Sequence, residues 1–243
     1  MDLQRTARPS QEVLNTHYAK AATAQDILRQ ALQTDFVGRI AVVSSFGAEA
    51  VVLLHLVSQI DPTTPIIFLN TGKLFGETLR YRDRLQEALG LTDIRSLAPH
   101  PDDIAKSDPK GGLWRQDTDA CCHIRKVLPQ ARAIEGFDAI ITGRKRFQTN
   151  AREEMNVIEQ DTENSGGHYR INPLANWSLD ELRLYIEKHN LPRHPLVKDG
   201  FLSIGCMPCT DRVQEGGNYR DGRWAGTDKD ECGIHINTGG DGI

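Results

Sequence analysis

Two cysteines stand side by side in this chain, Cys121 and Cys122, and their candidate partners lie more than eighty residues later in Cys206-Met207-Pro208-Cys209. Neighbouring cysteines rarely bond to each other, because the small ring they would close strains the disulfide geometry. A shared metal centre is the better use. A single zinc would need both adjacent thiolates in one tetrahedron, whereas structural zinc sites separate each ligand pair by roughly two to four residues. Cys206 and Cys209 meet that spacing and Cys121 and Cys122 do not. In an iron–sulfur cube each iron takes its own thiolate, so adjacent cysteines can reach different corners. A [4Fe-4S] cluster on Cys121, Cys122, Cys206 and Cys209 is the favoured reading. Zinc and a set of buried free thiols are the alternatives.

The fifth cysteine, Cys232, has no cysteine close to it and lies in a glycine-rich tail expected to be exposed, where a packing thiol would have little to pack against. A reactive role is expected, against the alternative of an inert surface thiol. Glu231 beside it should raise its pKa, so a useful thiolate needs cations, for which Arg220, Arg223 and His235 are the local candidates. A second basic set, Arg125, Lys126, Arg144, Lys145, Arg146 and Arg152, lies near the paired cysteines or after an apolar run, a placement that favours anion binding over scattered surface charge. None of the eight histidines is assigned as a metal ligand.

The elements that must position these groups can be read from periodicity. Thr23 with Asp26 opens a helix in which Ala24, Ile27, Leu28, Ala31 and Leu32 recur at helical spacing. Ile40 to Val43 reads as a strand, Ser44 to Glu49 as a small-residue turn, and Val51 to Val57 as a buried helix. Such a turn leaves free N–H groups and a helix start aimed at one spot, which suits a phosphate or sulfate, although a plain tight connection would look the same. Ile66 to Leu69 is a second strand closed by Asn70-Thr71-Gly72. Tyr81, Leu85 and Ala88 mark a helix stopping near Gly90, and Ile94 to Leu97 is a third strand. Asp138 to Gly143 is a further strand. Met155–Gln160 and Tyr169–Ile171 are expected to form an edge hairpin, and Ser178 with Glu181 a capping box opening the helix Leu179 to His189. Strands alternating with helices predict an α/β fold with a doubly wound, mostly parallel sheet. In such a sheet ligands sit beyond the carboxyl ends of the strands, where the Ser44, Gly72 and Gly143 turns are all expected to fall.

At 243 residues the chain suits one domain with appendages. Its hydrophobic fraction of 39% and charged fraction of 26% are ordinary for a soluble enzyme. A net charge of −4 does not favour polyanions, so any nucleotide must be met by a local basic patch. No membrane span and no signal peptide are seen, and a reducing, cytoplasmic setting is expected, in which five cysteines are metal ligands or catalytic thiols rather than disulfides. From about Asp211 onward glycines interrupt every pattern, which predicts a flexible C-terminal arm over 211–243.

Ser44 to Glu49, Phe68 to Gly72, Cys121 to Val127, Ile141 to Arg146 with Gln148 and Arg152, Ser203 to Thr210, and Glu231 to His235 occur in the order and form that resemble the assimilatory adenylyl-sulfate reductases, from about residue 36 to 235. The paired cysteines plus Cys-x-x-Cys separate that branch from the related phosphoadenylyl-sulfate reductases. Asn70, Ala50 and Phe201 depart from the family's usual residues. The resemblance implies an adenine nucleotide alpha hydrolase-like domain over 1–210 that carries the iron–sulfur site, with the arm bringing Cys232. It implies reduction of adenosine 5′-phosphosulfate to sulfite and AMP, with Cys232 as nucleophile forming an S-sulfocysteine and thioredoxin or a similar dithiol protein releasing sulfite. Lys126, Arg220 and Arg223 would neutralise the phosphosulfate; Ser44, Ser45, Gly47, Gly143 and Arg152 would hold the nucleotide, with His235 as a further substrate-binding residue. The cluster would be a non-redox element. A phosphoadenylyl-sulfate or dual-substrate reductase is the runner-up. A transfer-RNA sulfur-modifying ATP pyrophosphatase would want a different glycine-rich loop, and a pure electron carrier would have no use for the crevice. Neither a nucleic-acid nor a membrane partner is expected, and homo-oligomer formation is left open.

Overall fold

The protein is described from a computed structural model, covering residues 9–160, 167–214, 216–225, 229 and 231–235. Helices α1 (Gln11–Lys20) and α2 (Ala24–Gln30) precede strand β1 (Ile40–Val43). Helix α3 (Ala50–Ser58), strand β2 (Ile66–Leu69), helix α4 (Gly76–Leu89) and strand β3 (Ile94–Leu97) follow. Helices α5 (Pro101–Ser107), α6 (Leu113–Gln116), α7 (Thr118–Cys122) and α8 (Leu128–Ile134) lead to strand β4 (Ala139–Thr142). Strands β5 (Ile158–Gln160) and β6 (Tyr169–Ile171) and helix α9 (Leu179–Lys188) complete the frame.

The six strands form one sheet in the order β3-β2-β1-β4-β6-β5. All neighbours run parallel except β5, which pairs antiparallel with β6 at the edge. Side chains alternate across each strand, so Ile40, Val42, Ile66, Phe68, Ala139 and Ile141 join one apolar layer, packed by α2, α3, α4 and α9. Ala41, Ile67, Leu69 and Ile140 face the other way and pack with Ile134 of α8 and with Ile234 from the C-terminal tail. Helices on both faces explain why the parallel strands read as continuous apolar runs.

The expected caps form: Thr23 and Ser178 accept from the N–H groups of Asp26 and Glu181, and Gly90 takes the left-handed conformation (φ 63°) that ends α4. Ala88 is exposed rather than part of the α4 packing stripe. The edge hairpin is present, but β5 begins only at Ile158, because the Met155 N–H is used in a turn to Arg152; its connecting residues 161–166 lie outside the described residues. Among the described residues no helix is long and apolar enough to cross a membrane.

Candidate active site

The turns after β1 and β4 end on the same side of the sheet and open a cavity of about 180 Å³. Ser44, Ser45 and Gly47 line it from the first turn and Gly143 from the second; Lys126, Arg152, Arg220, Arg223 and Cys232 complete the wall. The passage at Gly47 is tight, since a Cβ there would lie 3.1 Å from the carbonyl oxygen of Ile204. The Gly72 turn goes elsewhere. Gly72 packs beside Arg125, and the neighbouring Thr71 Oγ1 lies 3.2 Å from Cys206 Sγ, so this third turn serves the cysteines.

Cys121, Cys122, Cys206 and Cys209 line one narrow recess, together with Lys73, Arg125 and Lys126. Two short segments bring them there: α7 with the π-helical turn His123–Val127, and the 3-10 turn Met207–Cys209, whose entry is fixed by the Met207 N–H donating to the Lys73 carbonyl at 2.7 Å. All five cysteines are free thiols. Burial pushes the Cys121 and Cys209 thiols up, with Arg125 and Lys126 only partly offsetting it. Among the described residues no three His, Cys, Asp or Glu side chains are grouped to hold a single metal ion. Four thiols lining a recess without converging on one point, with no carboxylate in its wall and three cations around it, are compatible with an anionic iron–sulfur cluster.

Cys232 sits between the two cavities. Contrary to the exposure expected of it, it is buried, packed with Cys122 and Trp224. Its Sγ is 3.6 Å from Lys126 Nζ. With Cys122 a protonated thiol, the hydrogen bond it shares with Cys232 lowers the Cys232 thiol and raises that of Cys122, and Lys126 adds to the lowering of Cys232 against the cost of burial. Lys126 itself is held up by Cys206, Cys232 and Cys122 although burial opposes it. The Glu231 carboxylate pairs with Arg152, at 2.6 and 2.8 Å, and also accepts the Cys232 backbone N–H; it is held below the usual range by that guanidinium despite burial.

The described part of the tail lies against the domain. Asp211 N–H donates to Gly222 O at 2.7 Å, Trp224 N–H to Cys209 O at 3.2 Å, and the Arg223 guanidinium lies 4.4 Å from the Trp224 ring centre. Residues 236–243 lie outside the described residues. His235 closes a short 3-10 turn, Gly233–His235, and its side chain is outside the described set.

The second basic set divides. Lys126, Arg144, Lys145 and Arg152 line the large cavity, with Arg144 also bonding Glu159, whereas Arg125 bonds Asp108 and Arg146 bonds Asn176 and the Met155 carbonyl. Lys145 pairs with Glu49 at 3.5 Å, where burial lowers its pKa against the pull of that carboxylate. Tyr219 donates to the same Glu49. Sequence reasoning missed Tyr219 and Trp224 as site residues. Their signal was two large aromatics kept in a tail otherwise too polar and glycine-rich to fold. Of the departures from the family pattern, Asn70 accepts the Gly72 N–H at 3.2 Å, Ala50 opens α3 at the cavity wall, and Phe201 packs its ring 5.5 Å from Phe75.

Residues 39–212 match the model of the phosphoadenosine phosphosulfate reductase domain family. The chain is 49% identical to an adenosine 5′-phosphosulfate reductase of Mesorhizobium japonicum, over 87% of this chain and 82% of that one. It is 39% identical to the protein of the same name from Streptomyces coelicolor, over 88% and 89%. Among solved structures it resembles the phosphoadenylyl-sulfate reductase of Candida auris, with a TM-score of 0.70 and 27% identity over 84% of this chain and 99% of that one. The FMN adenylyltransferase of Candida glabrata shares the fold at a TM-score of 0.56 and 18% identity, over 84% and 66%.

Proposed function

The chain belongs to the phosphoadenosine phosphosulfate reductase family, and from that premise we propose that it reduces adenosine 5′-phosphosulfate to sulfite and AMP in sulfate assimilation, with Cys232 as nucleophile. The observation that carries this reading is the position of Cys232 in the wall of the cavity formed by the β1 and β4 turns, 3.6 Å from the ammonium of Lys126.

The Cys232 thiolate attacks the sulfur of the phosphosulfate. An S–S bond forms, the bond from sulfur to the bridging oxygen breaks, and AMP leaves with that oxygen and its electron pair. Lys126, Arg220 and Arg223 neutralise the charge gathering on the leaving phosphate and on the sulfonate oxygens. Ser44, Ser45, Gly47, Gly143 and Arg152 hold the nucleotide, the first three through hydroxyls and N–H groups at the start of α3. A thiolate of thioredoxin or a similar dithiol protein then attacks Cys232 Sγ and expels sulfite. The second thiol of that partner breaks the mixed disulfide, so the two electrons come from the dithiol and Cys232 returns to its starting state. Cys121, Cys122, Cys206 and Cys209 would hold a [4Fe-4S] cluster, which would supply a positional or electrostatic rather than a redox contribution. Because Cys232 is buried where it docks, its segment 231–235 must withdraw to present the S-sulfocysteine to the protein reductant.

Sulfite release from adenosine 5′-phosphosulfate and from its 3′-phosphorylated analogue, each with thioredoxin, tests the reading. Preference for the substrate without the 3′-phosphate is expected. Equal or better turnover of the phosphorylated one would move the protein to the other branch of the family.

A further inference from the structure

Glu231 has no evident part in the sulfur chemistry. It carries no proton that the reaction moves, and a carboxylate beside a polyanion's pocket would repel the substrate. Yet it is buried, one residue before the nucleophile, on the cations of that pocket. Its Oε2 accepts from Arg152 Nε at 2.6 Å and its Oε1 from Arg152 Nη2 at 2.8 Å, a two-pronged bond with the guanidinium's fixed fork. Arg220 Nη2 stands 3.7 Å from the same Oε1, which also accepts the backbone N–H of Cys232 at 2.9 Å. The remaining edge of Arg152 is fixed in turn, since Nη1 donates to Gln148. An uninterrupted set of bonds thus runs from the 3-10 turns after β4, Arg146–Gln148 and Asn150–Arg152, through one carboxylate to the main chain of the cysteine.

We propose that Glu231 is a positioning residue, a latch that pins the arm to Arg152 and so sets where Cys232 stands against the phosphosulfate. This rests on the reading of Cys232 as nucleophile. Glutamine at this position keeps the shape but not the bond: its amide donors would face the arginine's donors, and the charge that holds the fork is gone. The arm then loses its register while the nucleotide pocket keeps its own residues. A misplacement of ~1 Å at a reacting atom can cost about a hundredfold in rate.

The test compares anaerobically purified Glu231→Gln enzyme with the wild type in three measurements: AMP affinity, the single-turnover rate of sulfonate transfer to Cys232 without reductant, and the rate of Cys232 alkylation by iodoacetamide without nucleotide. AMP affinity should fall by no more than about tenfold, since Arg152 keeps its bond to Gln148, and sulfonation should fall much further, by about a hundredfold. Alkylation should rise about tenfold as the arm opens more often. Glu231→Asp, with its carboxylate one methylene short, should fall between the two and decides the matter if the glutamine variant loses its cluster spectrum. Unchanged sulfonation would overturn the latch while leaving the nucleophile in place. Equal losses of AMP affinity and sulfonation would overturn it by making Glu231 part of the nucleotide pocket, and a rise in both sulfonation and alkylation would make it a brake on the thiol. If wild-type Cys232 takes no sulfonate, the reading beneath fails and takes the latch with it.

Discussion

Arg125 is the buried cation that ties the cysteine recess to the sheet, and replacing it with methionine should be among the most damaging single changes in the protein. Its Nη2 donates to Asp108 Oδ2 at 2.6 Å and its Nη1 to the Thr71 carbonyl at 2.8 Å, with both charged side chains buried. Burial pushes the Asp108 carboxyl up, but the Arg125 hydrogen bond and charge, with the Leu113 N–H, hold it below the usual carboxylate range. Methionine keeps the bulk and leaves that carboxylate without its cation, a loss of about 3–5 kcal/mol. The Thr71 carbonyl also loses its donor, at about 1–3 kcal/mol. The two losses overlap, so about 4–6 kcal/mol is expected, against a total stability on the order of 5–15 kcal/mol. Asp108→Asn should cost about 3–5 kcal/mol, by stranding the arginine. The double variant removes both charges and should lose only about 1–3 kcal/mol, the share of the Thr71 carbonyl. Anaerobic urea unfolding followed by tryptophan fluorescence measures all four proteins. Because Thr71 Oγ1 touches Cys206, iron content should fall in the single arginine variant. Single losses below about 1 kcal/mol, or losses that simply add in the double variant, would refute the reasoning.

His194 should make stability depend on pH. It is buried, takes the Leu196 N–H on Nδ1 at 3.2 Å and so donates from Nε2 to Thr78 Oγ1 at 3.0 Å, which is the neutral ring. Burial lowers its pKa from 6.5 to about 4. The unfolded chain therefore takes up the proton first: the stabilisation is complete above pH 6.5 and is lost as pH falls towards about 4, a loss of about 3 kcal/mol. His194→Gln should remove that part of the pH dependence; an unchanged profile of the difference between the two proteins would count against it. At Gly205, a Cβ would lie 2.3 Å from Nη1 and 2.5 Å from Cζ of Arg223. Gly205→Ala should therefore displace that guanidinium, raising KM about tenfold with a change in stability below about 1 kcal/mol; an unaltered KM would remove Arg223 from substrate binding. Anaerobically purified protein should carry about four iron and about four acid-labile sulfide per chain, and Cys122→Ser should lose both. Zinc without sulfide would contradict the cluster.

The frame was legible because its signals are local. Ile40–Val43, Ile66–Leu69 and Ala139–Thr142 are apolar on both faces, which only a covered parallel sheet allows, and the caps at Thr23, Ser178 and Gly90 act within a few residues of themselves. The cavity residues could be named from strand-end turns and clustered charge, yet their partners could not. Whether Arg144 faces a ligand or Glu159, and whether Arg152 faces solvent or Glu231, depends on elements distant in sequence. The same holds for Cys232. Glycine content predicted an open arm, but Ile234, Trp224 and the Glu231–Arg152 pair give the docked segment contacts that composition does not reveal. Glu231 is the clearest case, since proximity along the chain pointed only to Cys232 and the carboxylate's side-chain bonds go to Arg152.

The most direct test of the proposed chemistry is the mass of the intact protein after mixing with adenosine 5′-phosphosulfate in the absence of any reductant. One added sulfonate per chain is expected, mapped by peptide analysis to Cys232 and removed by thioredoxin with release of sulfite, while Cys232→Ser keeps its cluster spectrum and AMP binding but takes no adduct. An adduct on another residue, or turnover by the serine variant, would contradict the account.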